Sequence, residues 1–203
     1  MLRRGGGSIC VQRKSDTDNR QLQSWLKETA HQNKDAFASL YQALIQPVSH
    51  YVRIHIDSSE DAKDVIQEVF IAIWRGADSY SGQSSVLSWV LAVSRKKVAD
   101  HYRKKYRHAR WMAGESMDDG RMIKVKDEAS TKEIAEIVQK VYWERLMQRP
   151  SPQARELIYL SFVLGLTYRE IAAIQEVRPG TIKSRMYAVR QKLMKLIREE
   201  GST

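Results

Sequence analysis

A single cysteine, Cys10, rules out an internal disulfide and any zinc cluster built on cysteines. Prolines number only four and glycines ten, and strand-like alternation of polar and apolar residues is scarce, so the chain reads as mostly helix. No stretch approaches the roughly 20 apolar residues of a membrane span. The N-terminal MLRRGGGSICVQRK carries positive charge without the apolar run of a signal peptide. A cytoplasmic protein is expected. Catalytic groupings are missing as well: there is no phosphate-binding loop, no Ser/His/Asp arrangement and no cluster of metal ligands. His31, His50, His55, His101 and His108 are scattered, and His50 and His55 are five apart, off the i, i+4 spacing of a helical metal pair. Neither enzymatic activity nor a cofactor or metal is expected.

What the chain has in excess is positive charge. Lys and Arg number 34 against 24 Asp and Glu, a formal net charge of +10 with a pI near 9.7. That balance points to a polyanionic partner: nucleic acid, an anionic membrane surface or an acidic protein. No helix pairs a basic face with a bulky exposed apolar one, which argues against the membrane. With 42% hydrophobic residues over 203 positions, the chain can bury one sizeable core or two small ones.

The pattern divides the chain into two helical domains on a tether. Residues 1–20 lack periodicity and read as a flexible tail. Residues 21–107 form a helical block. Trp25, Leu26, Phe37, Leu40, Tyr41, Leu44, Ile45, Val48 and Val52 recur at helical spacing up to His55. DAKDVIQEVFIAIWRG is a further helix, and SYSGQSS a polar loop before the next. Residues 108–130 read as a linker, and 131–200 as a second helical block broken at Arg149–Pro152 and at Gly165–Thr167. The fold class expected is all-α, with a flexible linker and a helix-turn-helix in the second domain. No self-association is expected.

The most specific segment is LTYREIAAIQEVRPGTIKSRMYAVRQKLMKLIRE. Thr167 and Glu170 have capping-box spacing, which starts a short helix at Tyr168 that runs to about Gln175. Pro179 suits the first position of the next helix. There Ile182, Met186, Val189, Leu193 and Leu196 make a buried stripe, while Gly180, Lys183, Ser184, Tyr187, Arg190 and Gln191 make another face. Residues 178–198 contain seven Lys or Arg and no acid. This is a helix-turn-helix whose second helix fits a major groove. Lys183 and Arg190 suit guanine edges or phosphates, Ser184 close approach, and Tyr187 a thymine methyl or a phosphate. A helical hairpin with a solvated basic face is the plain alternative.

Two further helices carry chemistry. In DAKDVIQEVFIAIW, Asp61, Asp64 and Glu68 share one side while Ala62, Val65, Val69 and Ile73 line another. An acidic face in so basic a chain suits a protein partner, although acids near a helix start also complement its dipole. WVLAVSRKKVADHYRKKYRHAR begins apolar, with Trp89, Val90, Val93 and Ala99 expected to anchor one side. Over residues 95–110 it then carries eight Lys or Arg and one acid, Asp100. Trp89, His101, Tyr102, Tyr106, His108 and Trp111 interleave with the cations. Cations follow a phosphate backbone and aromatics stack on unpaired bases, so the mixture suits distorted or single-stranded DNA. A solvated helix end with core aromatics is again the plain alternative.

In this order the parts resemble the extracytoplasmic-function (ECF) group of sigma factors, initiation subunits of bacterial RNA polymerase. The resemblance covers roughly residues 34–107 and 131–198. It implies that the acidic helix docks on the polymerase β′ coiled coil through Asp61, Asp64, Gln67 and Glu68. It implies −10 promoter contacts from Ser84, in the loop that pockets a flipped base, and from Trp89, Arg95, Lys96, Lys97, His101, Tyr102 and Arg103. For the −35 element it implies Lys183, Ser184, Arg185, Tyr187 and Arg190, with the second domain resting on the β flap and an anti-sigma factor as a further partner. The chain departs from the family pattern at Lys63, where an acid is usual, at Lys96, where Asn is frequent, and at Ala188, where a basic residue is frequent. Arg178 stands where a capping Ser or Asp is more favourable. The rival reading is a helix-turn-helix regulator that binds duplex DNA without polymerase.

Overall fold

We describe a computed structural model of the chain, which gives the backbone of residues 16–113 and 150–200 and the side chains of 19–107 and 150–194. Among the described residues there are seven α-helices and no strand. They are α1 (Asp16–Ala30), α2 (Lys34–His55), α3 (Ser59–Gly76), α4 (Val86–Ala113), α5 (Pro152–Ile158), α6 (Tyr168–Gln175) and α7 (Pro179–Glu200). Residues 1–15, most of the expected linker and the start of the second domain lie outside the described residues.

Helices α1 to α4 form the first domain around Leu40, Leu44, Val48, Val52, Val65, Val69, Ile73, Val86 and Val90. Each start has a local cause. The α1–α2 break comes at Gln32, whose φ of 63° is left-handed, followed by Asn33. The Asn33 side chain accepts from the amides of Asp35 and Ala36 at 3.0 and 3.1 Å and so caps α2. Ser58 caps α3 in the same way through the Asp61 amide at 3.2 Å. Helix α1 begins at Asp16, inside the stretch expected to be tail, because it has a face to bury: Leu26 is 1% exposed and Leu22 and Trp25 pack on the core. At the other end α4 continues to Ala113, past the expected linker boundary.

The buried stripe of α4 differs from the one expected. Val86, Val90, Leu91, Ser94 and Val98 are buried, while Val93 and Ala99 are only half-buried. Ser94 tolerates burial because its hydroxyl donates to the Val90 carbonyl at 2.8 Å.

The second domain packs directly on the first. Leu157, Ile158, Leu160, Ile171 and Ile174 form one cluster with Tyr51, Ile54 and Leu91. A carboxylate lies within this contact: Glu156 is 2% exposed and accepts from the buried Tyr51 hydroxyl at 2.9 Å. Arg95 and His55 stand 3.8 and 3.7 Å from its oxygens. A buried carboxylate is costly unless it is paired and hydrogen-bonded, and here Tyr51 supplies the hydrogen bond and Arg95 the opposite charge. Beside it His50 stacks on Tyr159 at 4.2 Å between centroids, and the Tyr159 hydroxyl donates to the Pro47 carbonyl at 3.3 Å.

Burial holds both His50 and His55 below the ordinary histidine value of 6.5; Arg53 adds to this at His50, while Glu156 opposes it at His55. The unfolded chain therefore takes up protons near pH 6.5 that the folded chain refuses until lower pH. Thermal melting followed from pH 8 to 5 should hold steady at first and then fall as pH drops below about 6.5. His50→Gln with His55→Gln should flatten that fall.

Candidate nucleic-acid interface

The helix-turn-helix occupies α6 and α7. The capping box is complete: Thr167 Oγ1 accepts from the Glu170 amide at 3.3 Å, and Glu170 Oε2 accepts from the Thr167 amide at 2.8 Å. Helix α6 ends at Glu176, which adopts φ 53° and ψ 41°. The Val177 amide then returns to the Ala172 carbonyl at 3.0 Å, and the chain turns into Pro179. Ile182, Met186 and Val189 lie buried beneath α7, and Leu193 packs against them. Leu196 lies outside the described side chains.

Outside that stripe α7 exposes all five residues expected to read the −35 element. Lys183, Ser184, Arg185, Tyr187 and Arg190 are exposed, Tyr187 at 67%. Three are engaged within the domain, the Ser184 hydroxyl donating to the Gly180 carbonyl at 3.1 Å. Arg185 donates to the buried Gln175 at 3.1 Å, tying α7 to α6, and Arg190 lies over the Phe162 ring at 5.9 Å. The connection after α5 is one π-turn, Tyr159–Val163, closed by the Leu164 amide on the Tyr159 carbonyl at 3.0 Å. It turns Phe162 and Val163 outward, an apolar feature that periodicity did not reveal.

In the first domain the two charged faces meet each other. Glu68 takes Lys104 at 3.0 Å and Lys97 at 3.6 Å. Asp61 takes Lys105 at 3.3 Å and His101 at 3.6 Å. The acids expected to face a partner together are thus divided: Asp61 and Glu68 turn toward α4, whereas Asp64 and Gln67 face solvent with Glu60, Lys63 and Ile71. The Lys104 hydrogen bond, with the Lys104 and Lys97 charges, holds the Glu68 carboxyl below its usual range against a smaller opposing effect of burial.

The residues expected at the −10 element are spread in the same way. Lys96 and Arg103 are exposed, Arg103 pairing with Asp100 at 3.0 Å. Tyr102 points inward and donates to the His55 carbonyl, while Arg95 faces Glu156 at the domain contact. Trp89 is half-buried against Tyr80 at 5.7 Å. Ser84 lies in the loop just before α4, where its carbonyl accepts from the Tyr80 hydroxyl. Next to it Ser85 caps the helix: its Oγ accepts from the Ser88 amide at 3.3 Å. Glu170 of the second domain sits on the Ser85 and Ser88 hydroxyls at 3.2 and 3.4 Å, so the domain contact covers this end of α4. Among the described residues no group of three or more His, Cys, Asp or Glu could hold a metal, and no helix is long and apolar enough to cross a membrane.

A helical domain with an acidic and a basic helix side by side, followed by a helix-turn-helix, is the arrangement of a sigma-70-type initiation factor. Comparison with known proteins agrees. The family description Sigma-70 region 2 matches residues 40–108, and Sigma-70, region 4 matches residues 141–193. The ECF RNA polymerase sigma-E factor of Escherichia coli is 31% identical over 149 residues, which cover 71% of this chain and 75% of the relative. The ECF RNA polymerase sigma factor BldN of Streptomyces coelicolor is 23% identical over 189 residues, 92% of this chain and 70% of the relative. Among solved structures, CnrH in complex with the cytosolic domain of CnrY shares the fold with a TM-score of 0.60 at 19% identity, covering 88% of this chain and 98% of the other. RpoE from Bartonella quintana, in complex with the anti-sigma factor NepR, does so with 0.58 at 21% identity, covering 82% and 98%. The chain belongs to the ECF group of RNA polymerase sigma factors.

Two outcomes are expected of this site. Lys183→Ala with Arg190→Ala leaves the buried stripe intact, so the fold should hold while duplex affinity falls and its salt slope drops by about 1 for each phosphate no longer neutralised; titrations at several salt concentrations measure both. Glu176→Gly relieves a left-handed residue and should raise stability by up to about 1 kcal/mol in denaturant titration.

Proposed function

We propose that the chain binds core RNA polymerase, holds the −35 element in the major groove with α7 and captures −10 bases at the loop and N-terminal half of α4. Transcription then starts at the promoters so selected. The observation that carries this reading is the presence of regions 2 and 4 on one chain, in order. On α7, five exposed polar residues over a buried apolar stripe support −35 reading. On α3, Asp64 and Gln67 form the open edge for the β′ coiled coil, and Asp61 and Glu68 join them as their α4 partners turn to DNA. The exposed Phe162 and Val163 give the second domain an apolar surface for the β flap. The solved complex of RpoE with the anti-sigma factor NepR supports a regulator of that kind here.

Opening a promoter costs a few kcal/mol per flipped base. Stacking on an aromatic returns about 1–3 kcal/mol per base. Trp89, half-buried in the first turn of α4 beside Tyr80, is the aromatic assigned this role. The exposed cations Lys96 and Arg103 follow the backbone without reading sequence.

The test is co-purification of the full chain with bacterial core RNA polymerase, followed by run-off transcription on a promoter library. Stable binding with discrete start sites is expected. Duplex binding without polymerase binding would move the chain to the ordinary-regulator class. Asp64→Ala with Gln67→Ala, both at exposed positions, should weaken polymerase binding at least tenfold, or about 1.4 kcal/mol, and leave duplex binding by α7 unchanged.

A further inference from the structure

Helix α1 precedes both matched regions, the first of which begins at residue 40. It nevertheless reaches the loop on which −10 capture depends. Asn19 and Gln23 lie four apart, one turn along the same face of α1. Asn19 Oδ1 accepts from the Val86 amide, the first of α4, at 3.1 Å. Gln23 Nε2 donates to the Tyr80 hydroxyl at 3.2 Å. That hydroxyl donates in turn to the Ser84 carbonyl, and the Tyr80 ring meets Trp89 edge-on. The two side chains therefore grip opposite ends of the same short loop. Between the grips, Ser81, Gly82 and Gln83 are exposed, and Gly82 takes φ +75° with open space around its Cα. Helix α1 is a firm base for this, with Leu26 and Thr29 buried and the Thr29 hydroxyl donating to the Trp25 carbonyl at 2.7 Å.

We propose that Asn19 and Gln23 are positioning residues: they hold the loop 80–85 in the one shape that receives an unpaired promoter base, without touching that base. This rests on the −10 role given to the loop above. Asn19 acts by supplying the acceptor that the first amide of α4 needs. Gln23 acts by donating to Tyr80, which leaves the single phenol proton free to hold Ser84. A glutamate at position 23 cannot donate and competes for that proton, so charge and hydrogen-bond direction, not size, decide the outcome.

The experiment uses holoenzyme assembled from the full chain and core RNA polymerase. The probe is a DNA duplex ending in a single-stranded overhang randomised across the −10 positions. Wild-type holoenzyme selects an overhang, and the affinity of each variant for it is then measured beside −35 duplex and core-polymerase affinity. Asn19→Ala and Gln23→Ala should each bind the selected overhang about tenfold more weakly and flatten its base preference, with the other two affinities unchanged. Asn19→Asp, which keeps the acceptor, should restore both affinity and preference; Gln23→Glu should not. Overhang affinities within twofold of wild type, failure of Asn19→Asp to restore, or parallel loss of −35 and polymerase binding would each overturn the proposal. A wild-type holoenzyme that binds polymerase and the −35 duplex yet selects no overhang would overturn the loop's −10 role itself, and the proposal with it.

Discussion

The charge of α4 is the constraint around which the first domain is arranged. A helix that places Lys97, Lys104 and Lys105 along one side repels itself unless something opposes it. Asp61 and Glu68 on α3 do so, at the edge of the apolar contact that Val65, Val69 and Ile73 make with Val86, Val90 and Val98. Exposed pairs of this kind add little stability each, on the order of 0–1 kcal/mol. Their importance is one of state: the acids suited to a protein partner and the cations suited to DNA satisfy one another. Salt screens all of these pairs.

Most of the second domain was legible because its signals are local. The Thr167–Glu170 spacing, Pro179 and the stripe from Ile182 to Val189 each lie within a few residues of the feature they specify. Resemblance then supplied the family, since three motifs in order are more specific than any one of them. On α7 the exposed Lys183, Ser184, Tyr187 and Arg190 followed from the helical period, and Arg185 from the resemblance.

What escaped the sequence depends on groups far apart in the chain. Lys104 and Glu68 are 36 positions apart, and Tyr51 and Glu156 are 105 apart. No period predicts such pairs, so the acidic face reads as wholly open when half of it is paired with cations of α4. Glu156 would pass for a surface acid in any helix. The stripe of α4 departs from the expected one because Ser94 looks polar, and only its bond back to Val90 makes burial tolerable. The α1–α2 break carries neither glycine nor proline: Gln32 takes the left-handed conformation and Asn33 the cap, a signal easily lost within an otherwise periodic stretch.

Glu170 divides its two carboxylate oxygens between two structures. Oε2 closes the cap of its own helix, and Oε1 reaches the Ser85 and Ser88 hydroxyls of the other domain. Separating the domains therefore breaks the second set of bonds and leaves the first untouched. The start of α6 thus keeps its cap without the other domain, whereas its buried residues Ile171 and Ile174 share a core with Tyr51, Ile54 and Leu91. A change at Ser88 can therefore weaken the contact without opening that cap.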